Sequence, residues 1–499
     1  MRNAAIRIRQ VLISARFVIM VGILVCTGIA IYTLWYSSAG NFPDFPQVDN
    51  DYVDLGEAFL QGQLSLLERP DPALVALEDP YDPAQRIVAY RWDASYYKGR
   101  YYLYWGPVPG LAFAVIEGIT NLRPPGYLLV IICYIGLSII LLIILFRIWR
   151  SFFPSVPGFS PGLCLLVSLI NLPILFLLGR PVVYETSIIA GQFFLFLGLL
   201  CWVIYITGPG KNGWLIGAGL NWGLAIGSRY NLVISIAIYL VFVLTQIARD
   251  TKERSQLWQK LVLLLIPLGL CILGLGVYNF ARFGNPLETG LTYQLGVPEA
   301  RDQHYSISYL LSNLFIYLFY PMTTVKSFPF IISTLPIEGR FDEVVAGLLP
   351  STPSTWLLGL VIPSFLFAKA SLGVRQREIL HSSLKSLLSM IMVAALMQFL
   401  FLTMFYFDAM RFMADFYLQL TLGIWILVWK TDTIIRFRVI LRIIFWLVVI
   451  GLAFWTTGIG FFAGFDIPPQ TFHISNPILY QQLEAYWNNF YREIASLFN

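Results

Sequence analysis

The chain has 499 residues, of which 58% are hydrophobic and only 12% are charged, against roughly 25% charged in an ordinary soluble domain. That much apolar surface excludes a water-soluble fold and requires a bilayer to accept it. The net charge of +5 follows from basic loops on one side of the membrane and is not the footprint of a nucleic-acid binder.

Apolar windows of about twenty residues, long enough to cross a core of roughly 30 Å, fall at 17–37, 126–146, 159–179, 187–207, 214–228, 231–248, 261–279, 355–370, 385–406, 415–429 and 439–462. The sequence therefore predicts an all-α polytopic membrane protein of about eleven transmembrane helices. The windows at 214–228 and 355–370 are short and need tilt or local thinning of the bilayer. Orientation follows from the placement of Lys and Arg in short loops. Arg2, Arg7, Arg9 and Arg16 precede the first span, and alternate loops carry further groups such as Arg147 and Arg150, or Arg436, Arg438 and Arg442. Only Asp250, Glu253, Glu378 and Asp432 among the acids share that side. The N-terminus is thus expected in the cytoplasm, and the C-terminus outside a cell membrane crossed many times. The first span reads as a retained anchor, because it is longer than the apolar region of a usual signal peptide.

Three outer segments hold most of the polar sequence. The first loop, 38–125, and the second segment, 280–354, are expected to belong with the spans to a single transmembrane domain, 1–462. The tail, 463–499, follows outside. Asp49–Gly62 reads as an amphipathic helix, with Tyr52, Leu55 and Phe59 on one side and Asp51, Asp54 and Glu57 on another; such a helix suits a membrane surface. Segments 107–119 and 308–320 are too short to span and read as surface or re-entrant helices. The five cysteines, Cys26, Cys133, Cys164, Cys201 and Cys271, all fall within predicted spans and imply no disulfide framework.

Three constellations could carry chemistry. Asp49 and Asp51 directly after the first span could supply a general base or hold a divalent metal; the alternative is a helix N-cap with an acidic first turn. In Arg91–Pro107 seven of seventeen residues are Trp or Tyr, which suits stacking on sugar rings or an interfacial aromatic belt. On this reading Tyr96 and Tyr97, with Asp93, are the sugar-binding candidates, and Tyr101–Trp105 fit the belt better. At the outer span ends stand Arg180, Glu185, Arg229, Arg282, Glu288, Asp408, Arg411 and Asp415. Arginines there suit a phosphate, although Arg411 and Asp415, four residues apart, could simply pair on one helix turn. His304, His381 and His473 are dispersed, with no zinc spacing.

Taken in order, these segments resemble the GT-C superfamily of membrane glycosyltransferases, in its bacterial protein O-mannosyltransferase and aminoarabinose-transferase-like branch. The resemblance rests on Asp49-Asn50-Asp51-Tyr52, Asp93-Ala94-Ser95-Tyr96-Tyr97, Gly99-Arg100-Tyr101-Tyr102, Gly106-Pro107, Arg180-Pro181, Tyr184-Glu185, Gly227-Ser228-Arg229, Tyr278-Asn279, Arg282–Glu288 and Arg411-Phe412. It implies transfer of a sugar from a polyprenyl-phosphate donor to a glycan, lipid or protein acceptor at the outer face, with inversion. Asp51 or Asp49 would be the base. Arg229, Arg282 and Arg411 would bind the donor phosphate, and Asp93, Tyr96, Tyr97, Glu185 and Glu288 would face sugar or acceptor. A divalent metal is an open expectation, and nucleic acid is not an expected partner. The rival readings are a flippase for lipid-linked sugars and a polysaccharide polymerase or ligase. A flippase would be expected to place ionisable groups near the bilayer midplane, whereas these crowd the span ends.

Overall fold

A computed structural model describes residues 14–82, 84–296, 304–335, 343–360, 375–467 and 471–496, without the side chains of 375–381 and 471. Its helices are α1 (Ala15–Ser37), α2 (Asp51–Leu60), α3 (Val108–Thr120), α4 (Leu128–Phe152), α5 (Ser160–Leu169), α6 (Leu172–Gly179), α7 (Val183–Thr207), α8 (Gly213–Ser228), α9 (Val233–Asp250), α10 (Arg254–Phe283), α11 (Leu310–Phe319), α12 (Arg375–Thr403), α13 (Ala414–Ile435), α14 (Val439–Ala463) and α15 (Pro477–Ser496). Among the described residues strand pairing amounts to small hairpins, one of them β1 (Ser95–Tyr97) with β2 (Arg100–Tyr102), and isolated bridges such as Ser95 with Gln294. The chain is an all-α polytopic membrane protein.

Among the described residues eight helices are long and apolar enough to cross a membrane, and α5 with α6, bent by 53°, make a ninth if counted as one span. Helix α8, at 16 residues, would be about 24 Å long; it packs between α7 and α10. Of the expected span 355–370, residues 355–360 belong to a partly buried 3-10 segment, Pro353–Leu360, and 361–370 lie outside the described residues. Helices α7 and α13 form the protein-enclosed centre, whereas α1, α10 and α14 expose long apolar surfaces. In water that exposure would be prohibitive; in lipid it is the stable arrangement.

The break between α5 and α6 has a local cause. Asn171 donates to the carbonyls of Val167 and Ser168 and accepts from Ile174 N at 3.1 Å, so one amide closes α5 and caps α6. This leaves Arg180 at the end of α6. The expected surface helix at 49–62 forms as α2, and its buried Tyr52 and Leu55 pack within the protein against α3. The tail is also part of the bundle. Trp487 of α15 sits 5.0 Å from Phe462 of α14, and Asn488 accepts from Phe328 N at 2.8 Å.

The first loop is tied down by its own polar residues. Asn50 caps α2 by accepting from Tyr52 N at 3.0 Å, and its amide donates to Gly126 O, Pro181 O and Thr186 Oγ1 at 3.0, 3.2 and 2.8 Å. Gly126 must be glycine, because a Cβ there would strike Val48 O and crowd Asn50 Cβ. Further along, a Cβ on Gly106 would strike the carbonyl of Gly227, so the loop lies flat on the end of α8.

Replacing Asn50 by Ala strands these buried partners, each stranded group costing about 1–3 kcal/mol. The Asn50→Ala protein is expected to melt several degrees below the parent in detergent; an unchanged melting temperature would show that the tie carries no stability.

Candidate functional site

At the loop-bearing end of the bundle lies a cavity of about 370 Å³. Its walls are largely aromatic: Tyr104, Trp105, Tyr184, Tyr230, Tyr305 and Tyr406, with Phe401, Phe405, Phe407 and Phe412. Arg229, Arg411, Asn231 and Gln294 supply its polar groups. Tyr104 and Trp105 have ring centroids 3.9 Å apart, and Trp105 meets Tyr184 edge-on at 5.2 Å.

Each cavity arginine is held by an acid distant in sequence. Arg229 Nη2 donates to Asp415 Oδ2 at 2.8 Å, with Nε at 3.2 Å, and Asn231 donates to the same oxygen at 2.8 Å. Arg411 Nη1 donates to Glu343 Oε1 at 2.6 Å, and its guanidinium lies 4.5 Å from the Tyr184 ring centroid. The pairing of Arg411 with Asp415 anticipated from their spacing does not form. Residues Met410–Met413 are a 3-10 turn ahead of α13, so the i, i+4 register of an α-helix is absent there.

Polar atoms without partners gather around this cavity. Among the described residues Arg411 Nε and Asn231 Oδ1 are buried with no hydrogen-bond partner, and both carboxylate oxygens of the fully buried Glu185 find none on another residue. Arg180 forms no ion pair among the described residues; its guanidinium is 5.8 Å from the Tyr184 ring centroid. Buried polar groups left unmatched in a well-packed protein mark places where a ligand or water completes the set.

Asp93 adopts φ +57 and is buried, accepting a hydrogen bond from Gln294 Nε2. The same nitrogen reaches Tyr104 Oη at 3.3 Å. Burial pushes the Asp93 carboxyl up to about 6, against the opposing pull of the Gln294 hydrogen bond and the charges of Arg411 and Arg180.

The first-loop carboxylates separate. Asp49 is exposed and makes no ion pair among the described residues. Asp51 opens α2 and binds Arg91, which also binds Asp54 at 2.6 Å and Glu68. Burial raises the Asp51 carboxyl even though the Arg91 charge pulls it down. Arg123 completes the shield, meeting Asp54 and Glu57 at 2.6 and 2.7 Å. Neither Arg91 nor Arg123 was singled out from sequence. The signal was present, since three acids repeating along one helix face demand countercharge nearby.

Other expected site residues lie elsewhere. Arg282 donates to Leu103 O at 2.6 Å, Asn279 Oδ1 at 2.7 Å and Thr289 O at 3.3 Å, under the Tyr278 ring at 3.9 Å. It joins the first loop to the second. Glu288 accepts from Gly290 N and Thr292 Oγ1 at 2.7 and 2.9 Å, closing a turn. Tyr96 packs edge-on to Tyr81 and Tyr101, while Tyr97 meets Tyr293 at 4.5 Å. Both belong to the hairpin, and it is Tyr104 and Trp105 that reach the cavity, the reverse of the order expected. The hairpin turn at Lys98-Gly99 has positive φ at both residues, matching the twist of a two-residue connection. Among the described residues no group of three or more His, Cys, Asp or Glu stands together as a metal site. His304 lies 5.6 Å from Tyr406, ring to ring, and the side chain of His381 lies outside the described residues.

No family model matches the sequence, and no curated protein matches it either. The chain is similar to solved structures of the oligosaccharyltransferase of Archaeoglobus fulgidus. The apo form is 12% identical with a TM-score of 0.49, over 89% of this chain and 56% of that one. The complex with an inhibitory peptide and a dolichol-phosphate is 14% identical with a TM-score of 0.44, over 88% and 55%. The chain thus spans little more than half the length of those proteins.

The raised Asp93 carboxyl fixes the sign of one pH effect. Its charged form is disfavoured on folding, so its penalty is absent below the ordinary aspartate range and grows as pH rises toward about 6. Above that it reaches roughly 2–3 kcal/mol. Asp93→Asn, which still accepts from Gln294, is expected to raise the melting temperature at pH 8 and leave it unchanged at pH 4. Equal effects at both pH values would contradict the assignment.

Proposed function

We propose that the protein is a membrane glycosyltransferase of the GT-C kind, moving a sugar from a polyprenyl-phosphate donor to an acceptor at the extracytoplasmic face of the cell membrane. The observation that carries this reading is the aromatic cavity, with Arg229 and Arg411 in its wall and unmatched polar atoms around it. Aromatic faces suit sugar rings, and guanidinium groups suit a phosphate. The long, charge-sparse spans and the order of sequence motifs point the same way.

In this mechanism the sugar–phosphate bond breaks through an oxocarbenium-like state, as in glycoside hydrolysis. The leaving polyprenyl phosphate gains charge, which Arg229 and Arg411 offset from fixed positions. Both already hold a carboxylate, Asp415 and Glu343; this sets their geometry in advance while the free Nε of Arg411 remains to donate. Asp51 suits the base better than Asp49. It is partly accessible yet held in place by Arg91, whereas Asp49 has nothing to orient it. On this reading Asp93 and Glu185, both within the field of the Arg411 charge, contact sugar or acceptor hydroxyls. Arg282 and Glu288 act as positioning residues, and Tyr96 and Tyr97 support the hairpin that carries Asp93. An acceptor hydroxyl attacks the anomeric carbon and gives its proton to Asp51 as the polyprenyl phosphate leaves from the opposite side, so a single displacement inverts that carbon.

The test is release of polyprenyl phosphate from a panel of short-chain polyprenyl-phosphate sugars by the protein in proteoliposomes. Asp51→Asn is expected to lose at least a hundredfold, the usual scale of general-base loss, and Asp49→Asn less than threefold. Full activity in Asp51→Asn would remove the base assignment. Movement of a labelled lipid-linked sugar across the bilayer with no bond cleavage would replace the enzyme by a flippase.

A further inference from the structure

The opposite end of the bundle carries a second cavity that sugar transfer does not use. It has a volume of about 520 Å³ and lies between the connection from α4 to α5 and the first turns of α14. Its floor is a fixed network. The fully buried Asp432 accepts from Arg442 Nε and Nη2 at 2.6 and 2.7 Å and from Trp446 Nε1 at 2.7 Å. Arg442 also donates to Ser155 O at 3.1 Å, joining the α4–α5 connection to α14.

Asp432 and Arg442 balance one another, so the cavity's surplus charge is Arg436. It lines the cavity, makes no ion pair among the described residues, and lies 4.4 Å from the Phe437 ring centroid. Helix α14 starts beside it without a side-chain cap, so its first backbone N–H groups add positive potential. Along the same cavity run Val439, Ile443 and Leu447, at i, i+4 and i+8, all exposed. This stripe extends about 12 Å along the helix axis from the charged end.

A ligand that fits both features has a compact anion at one end and hydrocarbon at the other. Inorganic phosphate would leave the stripe bare, and a zwitterionic lipid would gain little from Arg436. We propose that this groove binds an anionic phospholipid, its headgroup phosphate at Arg436 and an acyl chain along Val439, Ile443 and Leu447. Basic pockets between transmembrane helices hold such headgroups elsewhere by the same electrostatics.

The full-length protein, purified in mild detergent, would be titrated with phosphatidylglycerol, phosphatidylcholine of the same acyl chains, and inorganic phosphate, reading thermal stability and lipid retained in native mass spectra. Phosphatidylglycerol is expected to bind and stabilise, with apparent affinity falling at least tenfold in Arg436→Gln and Arg436→Glu. Arg492→Glu, an equal charge change on exposed α15, should bind as the parent. The proposal is overturned if phosphatidylcholine stabilises equally, if inorganic phosphate displaces the lipid, or if the Arg436 variants bind as the parent does.

Discussion

A single buried amide, Asn50, holds the long first loop against the ends of the spans. With the loop beginning near residue 38 and α4 beginning at Leu128, some ninety residues must settle on the ends of the helices. Asn50 bonds to Gly126, Pro181 and Thr186 and so fixes the approach to α4 and the first turn of α7 to the start of α2. Arg282 does the same for the loop's far end through Leu103 and Thr289, and Gly106 lets the backbone rest on Gly227. With these ties the loop brings Asp93 and Tyr104 near Arg411, which the chain carries much later.

Charge balance selects the partners. A lone ion in a low-dielectric interior is far costlier than a paired one, so most enclosed arginines are drawn to an acid, while Arg282 is held by carbonyls and the Asn279 amide. Arg411 finds Glu343, Arg229 finds Asp415, Arg91 finds Asp51, and Arg442 finds Asp432. Unmatched buried polar atoms occur in several parts of the bundle, Glu117 Oε2 and Arg282 Nε among them, and one group of them concerns the aromatic cavity. Glu185, Arg411 Nε and Asn231 Oδ1 remain unmatched beside one aromatic cavity.

Much of the architecture was legible in the sequence because span formation is a local property. Apolar windows, the helix that opens at Asp51, and the short helices at 108–120 and 307–319 follow from composition over a dozen residues, whereas the break that Asn171 makes inside the expected span 159–179 does not. The choice of polar partners was not legible. Arg411 and Asp415 satisfy the spacing rule for a helical pair, yet a 3-10 turn removes the register on which that rule depends. Tyr97 and Tyr104 belong to one aromatic run, and nothing in their sequence says that the first packs on Tyr293 while the second stacks on Trp105.

The sequence by itself determined that the chain is a helical membrane protein with its acids gathered beyond the span ends, since hydrophobicity and charge act on each segment independently of the others. Tertiary structure alone decided which of those charges neutralise one another and which are left around a cavity. The physical reason is range. Transfer into lipid is a sum over neighbouring residues, whereas a buried ion pair joins groups as far apart as Arg229 and Asp415, and its formation depends on how every helix between them has packed.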